Sequence, residues 1–305
     1  MRQGTVVSIG TFDGVHLGHQ AILHELCQQA TARALPSLIY AFSTPPRWIE
    51  HRDEDRYLLL PTPVKLGLLR KSVGIVHSAT FERVQSMDPE EFIETVLLEQ
   101  LHARVIIEGE TFRFGRDRSG DLEILRLLGT KRELDVISVL PVVVEGEVAS
   151  STRIRELIRT GDFHTARLCL GRSPMLQGTV VSGDQIGREI GYPTANLSID
   201  PHVLLPLPGI FLIHAYGDDI RSNGLLYVGS RPTIGSGHMR CEVHLLEFPD
   251  RPLYDKSLEI HLLEKIRDDR TFSSLDALRS QIEADIVLAQ KLLSDYPLIE
   301  ERISS

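Results

Sequence analysis

Cysteine is scarce in this chain, tryptophan occurs once, and there is no long apolar run. Cys27, Cys169 and Cys241 are three in number and far apart, which excludes a small disulfide scaffold. No stretch approaches the roughly 18 consecutive apolar residues of a membrane-crossing helix, so no membrane partner is expected. A basic excess is also missing: 33 Lys and Arg stand against 42 Asp and Glu, a formal net charge of −9. Dedicated nucleic-acid binding leaves a basic footprint, so no nucleic-acid partner is expected, while a local anion pocket stays compatible with any net charge. The opening Met-Arg-Gln-Gly runs straight into Thr-Val-Val-Ser-Ile-Gly without a charged segment followed by an apolar one. A cytoplasmic location with reduced thiols is therefore expected. What the chain does have is ordinary for a globular enzyme: 305 residues, 42% hydrophobic and 25% charged. That apolar fraction excludes disorder, and the length predicts two domains.

The first half alternates two periodicities. Thr5–Ile9 is β-rich and ends at Gly10. Within His19–Ala34, Ile22, Leu23, Leu26 and Ala30 recur at helical spacing, and Ser37–Phe42 reads as a strand after Pro36. Pro89–Leu101 reads as a helix capped by Asp88, with Phe92, Ile93, Val96 and Leu97 on one face. A strand at Arg104–Ile107, a helix at Asp121–Leu128, a strand at Asp135–Leu140 and a helix at Ser151–Arg159 continue the alternation. An α/β domain over residues 1–170 is predicted, with helices covering a parallel sheet. Leu170 to Gly178 reads as a linker, short and bearing Pro and Gly. Residues 177–305 then carry short β-rich runs at Gly178–Ser182, Gly209–Ala215, Gly224–Val228, Arg240–Phe248 and Ser257–Leu263. These predict a small antiparallel β-barrel, closed by a helix over Ser274–Leu293.

Two segments concentrate chemistry-bearing residues. The first is Gly10-Thr-Phe-Asp-Gly-Val-His-Leu-Gly-His19, at a strand-to-helix junction. Gly10, Gly14 and Gly18 permit close approach by a ligand. The following helix start offers an anion site. His16 and His19, three apart, can face one ligand and donate to phosphate oxygens. The spacing fits neither the P-loop nor the dinucleotide fingerprint. A tight turn with two surface histidines, or a zinc pair, are the competing readings. Ser151, Thr152 and Arg155 at a later helix start would form a second phosphate clamp, although alone they would be N-caps and a solvated face.

The second segment is Gly178 to Asn196, in which Gly183, Gly187 and Gly191 recur at intervals of four and Arg188 adds charge. Such a backbone can fold over phosphates. Thr194 and Asn196 supply two hard oxygen donors suited to Mg2+ beside ATP phosphates, and alone would read as a turn. Glu242, taken by itself, is an outward strand residue.

Gly-x-Phe-Asp-Gly-x-His-x-Gly-His resembles the nucleotidylyltransferase signature of the bacterial bifunctional riboflavin kinase/FAD synthetases. Ser150-Ser-Thr-Arg-Ile-Arg155 resembles that superfamily's second signature, and Gly109-Glu-Thr-Phe-Arg-Phe-Gly115 is similar to the family's Gly-x-Asp/Asn-Phe-x-Phe-Gly loop. The stretch Gly183 to Asn196 is similar to the riboflavin kinase segment ending in Pro-Thr-Ala-Asn. Pro208-Gly-Ile-Phe211, Gly229-Ser-Arg-Pro-Thr233 and Glu242-Val-His-Leu-Leu246 follow in the family's order. The resemblance implies a Rossmann-like nucleotidylyltransferase domain followed by a kinase barrel. It also implies phosphorylation of riboflavin to FMN and adenylylation of FMN to FAD, with ATP, Mg2+ and flavins as the small molecules handled and no protein partner indicated. Carried over residue by residue, the catalytic set is His16, His19, Arg155 and Glu242, the last as general base. Gly10, Phe12, Asp13, Gly14, Gly18, Ser151, Thr152, Gly183, Gly187 and Arg188 would bind ATP. Phe112, Arg267 and Phe272 would bind flavin, and Thr194 and Asn196 the metal.

Three departures stand out. Residues 42–46 read Phe-Ser-Thr-Pro-Pro where the family has Phe-x-Pro-His-Pro, so Pro45 replaces the His. Thr111 stands where the family has Asp or Asn, and Tyr227-Val-Gly where it has Asn-Ile-Gly. A monofunctional member, a nucleotidyltransferase with another acceptor and a non-catalytic flavin or nucleotide sensor remain the alternatives at this point.

Overall fold

The computed structural model describes residues 4–43, 57–183, 187, 190–230, 239–246, 252–298 and 303. The chain divides into two compact units, Met1–Leu58 with Thr62–Ser151, and Leu59–Pro61 with Thr152–Ser305. Pro45 and Arg188 lie outside the described residues.

In the first unit, five parallel strands form one sheet among the described residues. They are β1 (Thr5–Gly10), β2 (Ser37–Phe42), β3 (Ile75–Ala79), β4 (Ala103–Gly109) and β5 (Asp135–Val139), in the order β3-β2-β1-β4-β5. Successive side chains of a strand point to opposite faces, and both faces are filled. On one face Val7, Ile9, Tyr40 and Ile106 pack against Phe92, Ile93, Val96, Leu97 and Leu125. On the other, Val6, Ile39, Val105 and Ile107 pack against Leu23, Leu26, Ala30 and Leu69. The covering helices are α1 (Leu17–Arg33), α2 (Thr62–Ser72), α3 (Pro89–Phe92) and α4 (Leu122–Thr130). Asp88 caps α3 as expected, accepting from the Glu91 amide at 2.9 Å. The helix then widens to π-type turns over Ile93–Gln100, which the periodicity did not predict, yet Ile93, Val96 and Leu97 remain buried. A short hairpin, β6 (Val143–Val144) and β7 (Glu147–Val148), follows the sheet.

The strand order reverses between β1 and β4. The β1 ladder to β2 runs as far as Gly10↔Ala41, whereas its ladder to β4 ends at Val7↔Ile106. The two strands part towards their carboxyl ends, and this is where open α/β sheets take ligands.

The second unit holds most of α5 (Ser151–Thr160), α6 (Phe163–Leu170) and a closed antiparallel barrel. Its strands are β8 (Met175–Val181), β9 (Ala195–Ile199), β10 (Gly209–Gly217), β11 (Ile220–Ser230), β12 (Met239–Leu245) and β13 (Ser257–Asp268), ordered β10-β11-β12-β9-β8-β13. The expected linker is partly a barrel strand. Met175 and Leu176 are buried, β8 pairs with β13, and even the Pro174 carbonyl accepts a bond from the Leu262 amide at 2.8 Å. Pro174 marks the strand's edge, whereas Gly178 lies within it, paired on both sides. The closing helix α7 (Leu275–Leu292) begins where expected, with the Ser274 hydroxyl capping the Ala277 amide at 3.1 Å.

One polar cluster is buried where β10 and β13 meet the C-terminal segment, since the Tyr296 carbonyl and the Ile303 amide both bond to it. His214, Tyr216, Glu259 and His261 are all buried, and His261 donates to Glu259 at 2.6 Å. His214 donates through Nε2 to the Tyr296 carbonyl at 3.1 Å and accepts from the Tyr216 hydroxyl at 3.4 Å. Burial holds its pKa down at about 4, so it is neutral at pH 7. The unfolded chain takes up this proton near the ordinary value of 6.5. Stability from a neutral His214 is thus complete above that value and is lost as pH falls towards 4, with about 2 kcal/mol gone by pH 5. Urea unfolding at pH 7.5 and pH 5 should show that loss, and His214→Gln should shrink it; an unchanged pH dependence would refute the assignment.

Candidate active sites

β1 ends at Gly10 and hands the chain to a loop with an unusual backbone. Phe12, Gly14 and Val15 have φ of 51°, 82° and 42°. Glycine adopts this left-handed region freely, but it costs Phe12 and Val15 about 1–2 kcal/mol each. Both side chains are sunk in the apolar layer beside Leu23 and Ile39, and that burial holds the loop. Two hydrogen bonds tie it further: Gln20 Nε2 donates to the Val15 carbonyl at 2.9 Å, and the Ser151 hydroxyl to the Asp13 carbonyl at 2.8 Å. The start of the Ser-Thr-x-x-Arg segment is thereby fastened to the histidine loop, 138 residues away in sequence.

His16 is the N-cap of α1, and its carbonyl accepts from the Gln20 amide at 2.9 Å. His19 follows one turn later. The two imidazoles stack, with centroids 3.7 Å apart and planes inclined by 27°. The Phe12 ring lies 5.2 Å from His19. A Cβ on Gly18 would sit 3.1 Å from the His16 ring and 3.4 Å from the Ala149 carbonyl, so glycine there lets the ring lie flat.

These groups line a cavity of about 270 Å³ with Gly10, Glu108, Thr111, Phe112 and Ser150. Leu140, just after β5, and Val148, of the β6–β7 hairpin, add exposed apolar groups to the lining. The arrangement places stacked imidazoles, a hydroxyl and a helix start around one space, a setting for a phosphate chain. Asp13 and Gly14 shape the loop rather than line the cavity. Thr152 and Arg155 follow on α5, Thr152 exposed and Arg155 buried, and they group with the second compact unit. Sequence reasoning passed over Lys65. It is buried at the carboxyl end of β2, donating to the Phe42 carbonyl at 2.7 Å. Burial lowers its pKa to about 8, against the opposing charge of Asp13.

The barrel holds a second cavity, of about 350 Å³. Arg240, Glu242 and His244 alternate along β12 and all line it. The Thr194 hydroxyl donates to Glu242 Oε2 at 3.2 Å, and Arg240 donates to Oε1 at 3.1 Å. Asn196 stands opposite Glu242 in the β9–β12 register. His244 Nδ1 donates to the Pro193 carbonyl at 2.9 Å, which anchors the Pro193–Asn196 segment. Two expected glycines have packing reasons here. A Cβ on Gly187 would run into the Tyr192 carbonyl, and one on Gly183 into the Asn196 amide.

Across the cavity, Phe272 lies beside the guanidinium groups of Arg267 at 5.7 Å and Arg270 at 4.9 Å. Arg267 binds buried Asp285 of α7, with Nε 3.0 Å from both carboxylate oxygens and Nη2 2.9 Å from Oδ2. Ile210, Leu225, Leu278 and Ile282 complete a slot with apolar walls. Tyr227, one of the departures, reaches across to Asp269 at 3.3 Å. Burial and the Asp269 charge push its phenol up to about 12. Phe112, grouped by resemblance with Arg267 and Phe272, belongs to the other cavity. No group of three or more His, Cys, Asp or Glu placed to hold a metal occurs among the described residues. A cation in the barrel cavity would therefore rest on Thr194, Asn196 and the oxygens of its ligand. Mg2+ fits that donor set, because it is commonly held by few protein groups and by phosphates.

Residues 1–153 match the FAD synthetase family and residues 170–293 the riboflavin kinase family. The chain belongs to the bifunctional riboflavin kinase/FAD synthetase family. A Pseudomonas fluorescens relative, a bifunctional riboflavin kinase/FMN adenylyltransferase, is 33% identical over 95% of this chain and 93% of its own. The Escherichia coli K12 protein of the same description is 32% identical with the same coverage. A crystal structure of a Streptococcus pneumoniae chain, described as a macrolide-efflux protein, superposes with a TM-score of 0.83 at 28% identity, over 95% of each chain. In this chain, no described helix is long and apolar enough to cross a membrane. Within the FAD synthetase half, the Ser151–Asp13 bond joins the two signatures. Ser151→Ala should lower that unit's stability by about 1 kcal/mol, read as a lower urea midpoint at unchanged slope; an unchanged midpoint would show that the tie carries nothing.

Proposed function

We propose that the chain converts riboflavin to FMN in the barrel and FMN to FAD in the parallel-sheet unit, with ATP as donor in both steps. The observation that supports this best is that each unit has its own cavity, lined by residues suited to phosphate chemistry. In the barrel the terminal ribityl hydroxyl oxygen attacks the γ-phosphorus of ATP, ADP leaves, and the hydroxyl proton goes to Glu242. Arg240 and Thr194 fix the two oxygens of that carboxylate, so the base is oriented before substrate arrives. The slot beside Phe272, Arg267 and Arg270 suits the flat flavin ring. Thr194 and Asn196 would hold Mg2+, which neutralises phosphate charge when bound. Positioning and charge neutralisation supply most of such a transfer.

In the other unit a phosphate oxygen of FMN attacks the α-phosphorus of ATP, the bond to the β-phosphate oxygen breaks, and pyrophosphate leaves. A phosphate nucleophile is already ionised at neutral pH, so this step requires no general base. His16 and His19 donate to the phosphate chain, with Ser151 assigned to the same task. Phe112 offers a ring for the flavin of the acceptor.

Product analysis after mixing protein, riboflavin, ATP and Mg2+ tests the scheme. FAD should appear through FMN, and chelating the metal with EDTA should stop FMN formation; persistence of FMN formation would remove the Mg2+ assignment. His19→Ala should cut FAD formation from FMN by about 10²–10³-fold and leave FMN formation intact. Glu242→Gln should cut FMN formation by about 10²–10⁴-fold and leave FAD formation from supplied FMN intact. If each substitution lowered both activities together, or if FMN yielded no FAD with any divalent metal, the division of labour would be wrong.

A further inference from the structure

Glu108 is a carboxyl group in an unexpected place. It stands near the carboxyl end of β4, is 3% exposed, and lines the cavity shared by His16 and His19. The β1–β4 ladder ends at Val7↔Ile106, and Glu108 fills the gap beyond it. Its Oε1 accepts from the Ile9 amide at 2.6 Å and from the Ser8 hydroxyl at 3.4 Å. With Oε1 committed to β1, Oε2 is the atom left for a ligand. The crevice floor at the point of strand reversal is thus an acid, beneath a loop and helix start that suit a polyanion.

The geometry points to Glu108 as a binding residue of the adenylylation half, donating a hydrogen bond from Oε2 to an oxygen of the ATP phosphate chain. This rests on the adenylylation reading above. An ionised carboxylate would repel that chain, whereas the neutral acid donates to it while its other oxygen keeps the β1 bonds. Burial favours the neutral form, raising the pKa well above the usual carboxylate range against the Ile9 and Ser8 hydrogen bonds. The other titratable groups lining the cavity are His16, His19 and Glu110. Glu108 lies three residues before Thr111, where the related loops carry Asp or Asn.

The test uses the full chain with FMN and MgATP, measuring KM for ATP and kcat of FAD formation across pH. FMN formation from riboflavin by the same preparations reports the intact barrel. Glu108→Ala and Glu108→Leu should raise KM about tenfold or more with kcat nearly unchanged, the size of one lost hydrogen bond to a charged acceptor. Glu108→Gln keeps a donor for the ligand and an acceptor for the Ile9 amide, and should restore KM. The unsubstituted chain should show KM climbing at alkaline pH as the carboxyl ionises, a climb the Gln variant lacks. Leu tests contact without leaving a cavity, so the Gln and Leu pair decides the matter even if Ala destabilises the sheet. A Gln variant as weak as Leu would show that the anion is needed, and a Leu variant equal to the parent that no contact exists. Either overturns the proposal while leaving adenylylation standing. Failure of the unsubstituted chain to make any FAD overturns both.

Discussion

Burial of Phe12 and Val15 is the constraint on which the first site depends. Both backbones are left-handed, a conformation unfavourable to each residue taken singly, and apolar packing offsets that cost. The loop they hold puts His16 at the cap of α1, lets His19 stack on it one turn later, and turns the Asp13 carbonyl towards Ser151. Local strain, tertiary packing and the aim of the imidazoles are one linked arrangement. Strain stored at a ligand-facing loop persists only where its surroundings determine it, as the apolar layer beneath this loop does.

The barrel solves its positioning problem with alternation. A strand shows every second side chain to one side, so Arg240, Glu242 and His244 share the cavity, and each has a different duty. Arg240 holds the carboxylate, Glu242 is the proposed proton acceptor, and His244 pins the segment that carries Thr194 and Asn196. Tyr227 enters from the neighbouring strand directly opposite Glu242 and closes the wall by reaching Asp269.

Much of this was legible in the order of residues. Alternating periodicities announced the parallel sheet, short strands the barrel, and Asp88 and Ser274 their helix starts. The Gly10–His19 and Gly183–Asn196 segments pointed to both cavities, each of which several of their residues line. Other features depend on partners remote in sequence. Nothing in Leu170–Gly178 reveals that Met175 and Leu176 will be covered by β13. The π-type turns after Phe92 keep the same apolar face as an α-helix would, so the pattern could not tell them apart. Lys65 and Glu108 look like ordinary charged residues until the sheet closes round them. Arg240 and His244 were within reach, because period-two counting from Glu242 lands on both.

The clasp between Arg267 and Asp285 has a wider consequence. Asp285 belongs to α7 and Arg267 to β13, and the clasp itself forms part of the slot beside Phe272. The attachment of the terminal helix and the shape of that slot are therefore one thermodynamic quantity. A molecule that occupies the slot deepens the well in which the helix sits. Amide protons of α7 would exchange more slowly in its presence, although most of them never come near it.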